Sequence, residues 1–325
     1  IYNIKYIMEK ILITGGAGFI GSYCVEKFKN EGYSVTVLDN FSTTGQNDND
    51  KIFEDINLIK GDILDYKWDD LEDYDLILHM ASPVGPAGVL KHSGNMARYI
   101  IDDVYWAIEG ALKNDCPLLF MSTSEIYGFR DSAVRLSEDE EKILVGDYKV
   151  RNEYSVSKLL SEIVLSNTSK VSNLKYQIIR PFNISGARQQ VVGGFVLPTF
   201  VTQSLKDEDI TVFGDGEQIR AFTHVKDIVD GIYLISQYED GNEIWNIGNP
   251  NNECTIKELA DMVKQKIDTA SEIKLVDPKT IHGPLYEEAW DKVPEPSKIK
   301  KMLNWKPKYD IDYIVDDVIE YFKNK

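Results

Sequence analysis

Six short apolar runs, each ending near a glycine, an aspartate or a hydroxyl residue, constrain this 325-residue chain more than any other feature. They are Lys10 to Thr14, Ser34 to Leu38, Ile56 to Lys60, Leu76 to Met80, Leu118 to Met121 and Tyr176 to Ile179. They are apolar at nearly every position rather than at alternate ones, which is how strands buried on both faces of a parallel sheet read. Amphipathic stretches such as Tyr23 to Asn30 and Tyr154 to Leu165 separate them. Strand and helix alternating at this spacing predict an α/β fold with a doubly wound parallel sheet. After Arg180-Pro181 the pattern changes, and residues 181–222 read as loop-rich, with Gly186, Gly193, Gly194, Pro198, Gly214 and Gly216. Thr255 and Glu258 make a capping box that opens a helix to about Ile267. Two more helices are expected near Ser297 to Leu303 and Ile311 to Phe322, so the chain should end in a smaller α/β lobe. Asn47 to Asp50 reads as a short polar loop.

The formal net charge is −17. Such a surface repels nucleic acid and anionic membranes, which excludes both as main partners. An anionic substrate would then need a local cluster of Arg and Lys. The three cysteines, Cys24, Cys116 and Cys254, are far apart and form no CxxC, which argues against a zinc site or a disulfide scaffold and fits a reducing cytoplasm. No metal site is expected. No apolar run has the length of a membrane span. Ile1 to Ile7 lack the order of a signal peptide and read as an extension ahead of Met8.

Gly15, Gly18 and Gly21 follow the first strand and open a helix whose first turn carries Phe19 and Ile20. Gly15 permits the tight turn, Gly18 lets backbone approach a pyrophosphate, and Gly21 lets helix and strand pack closely. The helix N-terminus adds amide donors and a positive dipole. Asp39, at the end of the second strand, can accept from both hydroxyls of an adenosine ribose and would repel a 2′-phosphate, so NAD is favoured over NADP. Asp62-Ile63, after the third strand, can reach the adenine.

Tyr154 and Lys158 are four residues apart on an expected helix and share a face. A phenol is a poor base near neutrality, and a neighbouring ammonium favours its phenolate. Ser122-Thr123-Ser124-Glu125 follows the strand Leu118 to Met121, at the carboxyl end where open α/β sheets hold ligands. Its hydroxyls can hold a substrate hydroxyl, and Glu125 can serve as a second acid/base.

Together these residues resemble the extended short-chain dehydrogenase/reductase family of nucleotide-sugar epimerases, dehydratases and decarboxylases. The resemblance runs from about Lys10 through Arg180-Pro181-Phe182-Asn183, Ile210 to Phe222, Asn246-Ile247-Gly248 and Trp305-Lys306-Pro307. It implies a Rossmann-type NAD-binding domain over 8–180, with 222–250 returning to it, and a nucleotide-sugar lobe over 181–221 and 251–325. It adds Asn40 and Ala81 to the cofactor site. It implies that Tyr154 takes the proton of the sugar C4 hydroxyl while hydride passes to NAD, that Lys158 lowers the tyrosine pKa and holds the nicotinamide ribose, and that Thr123 bonds the C4 oxygen. Ser124, Asn183, Arg188, Leu197, Phe213, Arg220 and Lys292 would bind the substrate: Asn183 and Arg220 at the diphosphate, the Phe195 to Pro198 segment around the base, Arg188 and Lys292 in the positive cluster.

After C4 oxidation the sugar can be reduced on its other face, lose water, or lose carbon dioxide from a C6 carboxylate. Thr123-Ser124-Glu125, His79 to Pro83 and Gly193-Gly194-Phe195 are most similar to UDP-glucuronate decarboxylases, with dehydratase and 4-epimerase as alternatives and a non-catalytic NAD sensor as a remote one. Lys292 stands where the decarboxylases carry an Arg for the sugar carboxylate, Pro83-Val84-Gly85-Pro86 departs from their loop, and the usual Asn of the following helix is replaced near Asp102-Asp103. A UDP-sugar is favoured and a GDP-sugar is an alternative, and relatives imply a homodimer through two helices per subunit, one of them bearing Tyr154 and Lys158.

Overall fold

Alternate residues of each central strand point to opposite faces, and both faces are covered. Ile11 and Ile13 enter one core with Cys24, Val25, Phe28, Ile228 and Ile232, while Leu12 enters another with Val104, Ala107, Ala111 and Leu165. That is why the strand is apolar throughout. A computed structural model describes residues 10–42, 50–128, 130, 134–144, 149–286 and 291–325. The expected extension at Ile1 to Ile7, Met8 and most of the polar loop Asn47 to Asp50 lie outside the described residues; Asp50 itself opens a short 3-10 turn, Asp50–Phe53.

The main sheet has seven strands: β1 (Lys10–Thr14), β2 (Ser34–Asp39), β3 (Asn57–Lys60), β4 (Leu76–His79), β5 (Leu118–Met121), β6 (Tyr176–Pro181) and β7 (Glu243–Ile247). All pairings are parallel, in the order β3-β2-β1-β4-β5-β6-β7. The order reverses between β1 and β4, so a crevice opens beyond their carboxyl ends, where such sheets take ligands. The helices are α1 (Phe19–Asn30), α2 (Gly85–Lys91), α3 (Met96–Asn114), α4 (Val150–Val171), α5 (Val196–Leu205), α6 (Val225–Ser236), α7 (Ile256–Ile267), α8 (Lys279–His282), α9 (Ser297–Leu303) and α10 (Ile311–Lys323).

A separate core gathers Leu197, Phe200 and Val201 of α5, Leu259 and Val263 of α7, and Ile314, Val315 and Val318 of α10 around Ile210 and Val212. The expected capping box is present: Thr255 accepts from the Glu258 amide at 3.1 Å and Glu258 from the Thr255 amide at 2.8 Å. Residues 181–222 are not wholly loop, because α5 lies among them. Gly193, Gly194 and Pro198 suggested irregular chain, but a proline in a first helical turn sacrifices no intrahelical bond.

The long helix α4 is fixed by buried charge. The Arg180 guanidinium of β6 donates to both Glu162 carboxylate oxygens, at 3.0 and 2.6 Å, and to the Tyr127 hydroxyl at 2.8 Å. Tyr127 donates in turn to Asn246 of β7 at 2.8 Å. Ser122 donates to Glu162 as well. Arg180 is 2% exposed and Glu162 4%. Removing one partner would strand the other charge without water. Arg180→Met should therefore lose about 3–5 kcal/mol of folding stability, the usual cost of breaking a buried pair. Urea unfolding followed by circular dichroism measures it, and a loss under about 1 kcal/mol would show that Glu162 finds water or a proton instead.

Candidate active site

The crevice beyond β1 is shaped by glycines. Gly15 has φ +71, and a side chain there would meet the Ala81 backbone at 2.8 Å. A side chain at Gly21 would lie 2.1 Å from the Gly15 carbonyl. Gly18 caps α1 with no side-chain acceptor, and the first turn holds no acid, so the amides around Phe19 and Ile20 face the crevice unopposed by negative charge. Thr14 braces the far wall: its hydroxyl accepts from the Met80 and Ala81 amides at 3.1 and 3.2 Å and contacts His79 Nδ1 at 2.9 Å. Burial holds His79 near 3, so the ring stays neutral.

Asp39 is buried. Its carboxylate accepts from the Ala17 amide at 2.8 Å and the Phe41 amide at 2.7 Å. Burial raises its pKa, and those two amides oppose the rise. Asn40 donates to Asp62 at 3.1 Å, and Asp62 caps the turn Ile63–Asp65 by accepting from Leu64. Ile63 is 4% exposed, with its side chain in the core; only its backbone is free to meet an adenine ring. These residues fit a dinucleotide: an uncapped helix start for the pyrophosphate, a pre-set carboxylate for ribose hydroxyls, and a cradle that any Cβ would fill.

The second group lies past β5. Thr123 caps the 3-10 turn Ser124–Tyr127, accepting from the Glu125 amide at 3.1 Å, and hydrogen-bonds Tyr154. The cap turns Glu125 toward α4, where Arg151 Nη1 donates to it at 2.9 Å. Lys292 Nζ pairs with the same carboxylate oxygen from the lobe. Lys292 reaches it through a backbone bridge to Arg220, and the Asn183 amide donates to the Lys292 carbonyl at 3.2 Å. Thr123, Glu125, Tyr154, Arg220, Asn183 and Lys292 are linked by these contacts. Arg151 was missed, although it sits one turn before Tyr154 on the same helical face.

Burial works against charge on Glu125, but Arg151 and Lys292 outweigh it and hold the carboxyl well below the usual range. Burial brings Lys292 down to about 8 against the pull of Glu125. Burial likewise raises the Tyr154 phenol, opposed by the Thr123 hydrogen bond and Arg151. Arg151 is a cation that acts on Tyr154. Lys158 donates to the Met121 carbonyl at 2.9 Å, and burial lowers it to about 8, with Asp103 and Glu162 holding it up.

Three side chains are engaged elsewhere. Ser122 spends its hydroxyl on Glu162 and has none left for a sugar. Arg188 does not join the cluster: it forms a bidentate pair with Glu26 of α1 at 2.9 and 2.8 Å and stacks 4.2 Å from the Tyr23 ring. Leu197 is 1% exposed, its side chain in the lobe core, so only its backbone can face a base. Ser124 is buried in the turn, and Phe213 lies edge-on to Tyr286 at 5.6 Å. Asn246 and Trp305, read as motif residues, are structural: Asn246 joins the Arg180 network, and Trp305 donates to the Asp227 carbonyl at 2.9 Å. Among the described residues no cluster of His, Cys, Asp or Glu could hold a metal ion, and no helix is long and apolar enough to cross a membrane.

The chain belongs to the NAD dependent epimerase/dehydratase family, whose model matches residues 11–248. It is an NAD-dependent enzyme of nucleotide-sugar metabolism. It is 30% identical over 319 residues to a UDP-N-acetyl-alpha-D-glucosaminuronate decarboxylase of Bacillus cytotoxicus, covering 97% of this chain and 98% of that protein. It is 34% identical over 315 residues to UDP-glucuronic acid decarboxylase 5 of Arabidopsis thaliana, covering 94% and 87%. Among solved structures it is similar to a UDP-glucuronic acid 4-epimerase of Bacillus cereus in complex with UDP-glucuronic acid and NAD, with TM-score 0.84, 25% identity and 97% and 99% coverage.

The Tyr154 hydroxyl is uncharged and hydrogen-bonded to Thr123. Tyr154→Phe should lower kcat by about a hundredfold or more, the effect of losing a general base, and leave NAD affinity unchanged. Steady-state turnover and calorimetric NAD titration check the two halves, and turnover near the wild-type rate would remove Tyr154 from the chemistry.

Proposed function

We propose that the enzyme decarboxylates a UDP-linked hexuronic acid after transient oxidation at C4. The observation that carries the reading is Lys292, a buried ammonium paired with Glu125 beside Thr123 and Tyr154. A cation at that depth suits a sugar bearing a carboxylate, and the two decarboxylases and the UDP-glucuronic acid epimerase named above are all named for uronic acids. Bound NAD supplies the hydride acceptor for C4 and returns the hydride at the end. Tyr154, ionised in the reactive complex, takes the C4 hydroxyl proton and becomes the neutral phenol, with Thr123 holding the oxygen. Lys292 orients the C6 carboxylate. When the C5–C6 bond breaks, carbon dioxide leaves and its electron pair enters the C4–C5 enolate, whose oxygen accepts hydrogen bonds from Tyr154 and Thr123; C5 then takes a proton from solvent. Asn183 and Arg220 hold the diphosphate, and Gly15, Gly18, Gly21, Asp39, Asn40, Asp62, Ala81 and Lys158 hold the cofactor.

Dehydration fits less well. It needs a base for the C5 proton, and a Glu125 carboxyl held far below its usual range is a weak one. A second reading, 4-epimerisation of the same uronic acid, draws on the likeness to the Bacillus cereus epimerase. Incubation with UDP-glucuronic acid and its N-acetylated amino analogue, with mass spectrometry of the product, tests the choice: loss of one carbon dioxide supports decarboxylation, an unchanged mass with an inverted C4 supports epimerisation, and loss of water overturns both.

Lys292 sets a pH signature. Its folded value is about 8, so the ammonium is present below that pH and lost above it. UDP-uronate affinity should fall as pH rises through 8, by up to about tenfold per unit, whereas Lys292→Arg should keep it, since a guanidinium does not deprotonate. Binding measured from pH 7 to 9.5 decides; the same fall in the arginine variant would show that Lys292 does not hold the carboxylate.

The cores on the two faces of the sheet and the separate core of α5, α7 and α10 support a division into an NAD domain over 8–180 and 222–250 and a sugar lobe over 181–221 and 251–325. Val156, Leu160 and Ile163 form an exposed apolar row along α4, opposite Tyr154 and Lys158, and Tyr99 and Tyr105 of α3 are exposed beside them. A row at this spacing on neighbouring helices fits a helix-to-helix homodimer. Leu160→Glu with Ile163→Glu should give a monomer by light scattering; a wild-type chain already monomeric at micromolar concentration would end this assignment. Three free cysteines suit a reducing compartment, and we place the protein in the cytoplasm.

A further inference from the structure

Helices α3 and α4 lie side by side and run in the same direction. Glu153 of α4 binds the amides of Gly94 and Ala97 at the start of α3. One turn further, Met96 and Ile100 pack on Tyr154. Met96, Ile100, Asp103 and Ala107 share one face of α3 by their spacing. The next turn therefore sets Asp103 opposite Lys158, and the two act on each other electrostatically. Asp103 also feels Asp62, from the turn after β3. Asp62 belongs to the adenine end of the crevice and Lys158 to the nicotinamide end, so Asp103 stands between them, along the middle of the dinucleotide.

That is an unusual place for a carboxylate, because the middle of NAD is its doubly anionic pyrophosphate. Asp103 is half-buried, and no hydrogen bond or ion pair engages it among the described residues. The charged groups that act on it are Asp102 on its own helix, Lys158 on α4 and Asp62 on the turn. Burial and the Asp62 charge push its carboxyl up to about 7, against the pull of Lys158. A free carboxyl so placed can meet a pyrophosphate only by losing its charge.

We propose that Asp103 is a proton-accepting residue of the cofactor site: NAD binding draws a proton from solvent onto its carboxyl, which then donates a hydrogen bond to the bound dinucleotide instead of repelling its phosphates. The proposal rests on the assignment of Gly18, Asp62 and Lys158 to the cofactor. Its consequence is a cofactor held more tightly as pH falls toward neutrality from above. Asp102, one residue earlier and paired with Arg98, lies off this face and takes no part.

The test is an infrared difference spectrum, NAD-bound minus free, on protein stripped of bound nucleotide. At pH 8 the wild type should gain a carboxylic-acid carbonyl band and lose carboxylate absorption. At pH 6 the acid is already largely protonated in the free protein, and the band should be roughly tenfold smaller, as follows for a group titrating near 7. Asp103→Asn should lack the band, and Asp102→Asn should keep it. No acid band at pH 8, or a band that survives in Asp103→Asn, overturns the proposal while leaving the cofactor assignment standing. Failure of the wild type to bind NAD by calorimetry overturns both.

Discussion

The Glu162–Arg180 pair decides where α4 lies against the sheet, and α4 carries Arg151, Tyr154 and Lys158. Such a pair adds little net stability over an apolar contact, because desolvation consumes most of the attraction. Its effect is on alternatives: any other seating of α4 would leave a guanidinium or a carboxylate buried and alone. The pair is also local to the chemistry. Glu162 is one turn beyond Lys158 and helps keep that ammonium charged, and it takes the Ser122 hydroxyl at the end of β5. The helix, the strand end and the turn holding Thr123 are thus referred to one buried charge.

The same logic governs the distribution of charge over the chain. A net −17 would keep an anionic nucleotide sugar away if it were uniform. It is not uniform. Arg151, Lys158, Arg220 and Lys292 lie along one cleft, contributed by α4 and by the lobe, and three of them are nearly buried. Burial lowers Lys158 and Lys292 to about 8, so both lysines lose charge in mild alkali while Arg151 and Arg220 keep theirs. Elsewhere the surface is acidic, which narrows the positive field to the crevice mouth.

The parallel sheet was legible because its strands are buried on both faces, and the cofactor crevice was legible because glycine, uncapped helix start and strand-end carboxylate are local signals. What stayed hidden was set by tertiary contact. The helix α3 lacks a side-chain N-cap, and α5 opens behind two glycines with a proline in its first turn, so neither announces its start. The resemblance put Arg188 in the positive cluster, yet Glu26, 162 positions away, claims it. Lys292 could be placed by motif, but only the bridge to Arg220 shows how a residue from the chain's end arrives beside Glu125.

The proton inventory of the site then limits its chemistry. Tyr154 is neutral with a raised pKa, and Glu125 is ionised with a depressed one. A neutral phenol is a good hydrogen-bond donor to an oxygen that gains negative charge, which is what the C4 oxygen does when carbon dioxide leaves C5. An ionised carboxylate locked by two cations is poor at moving protons but good at holding those cations in place. Glu125 is then better understood as the residue that keeps Lys292 and Arg151 at the reacting sugar than as the acid/base at C5. Its own negative charge also limits how tightly Lys292 can grip an incoming carboxylate. A bound uronic acid would share the ammonium with Glu125, leaving its C6 carboxylate held in position yet incompletely neutralised, a state that favours release of the charge as carbon dioxide and enolate.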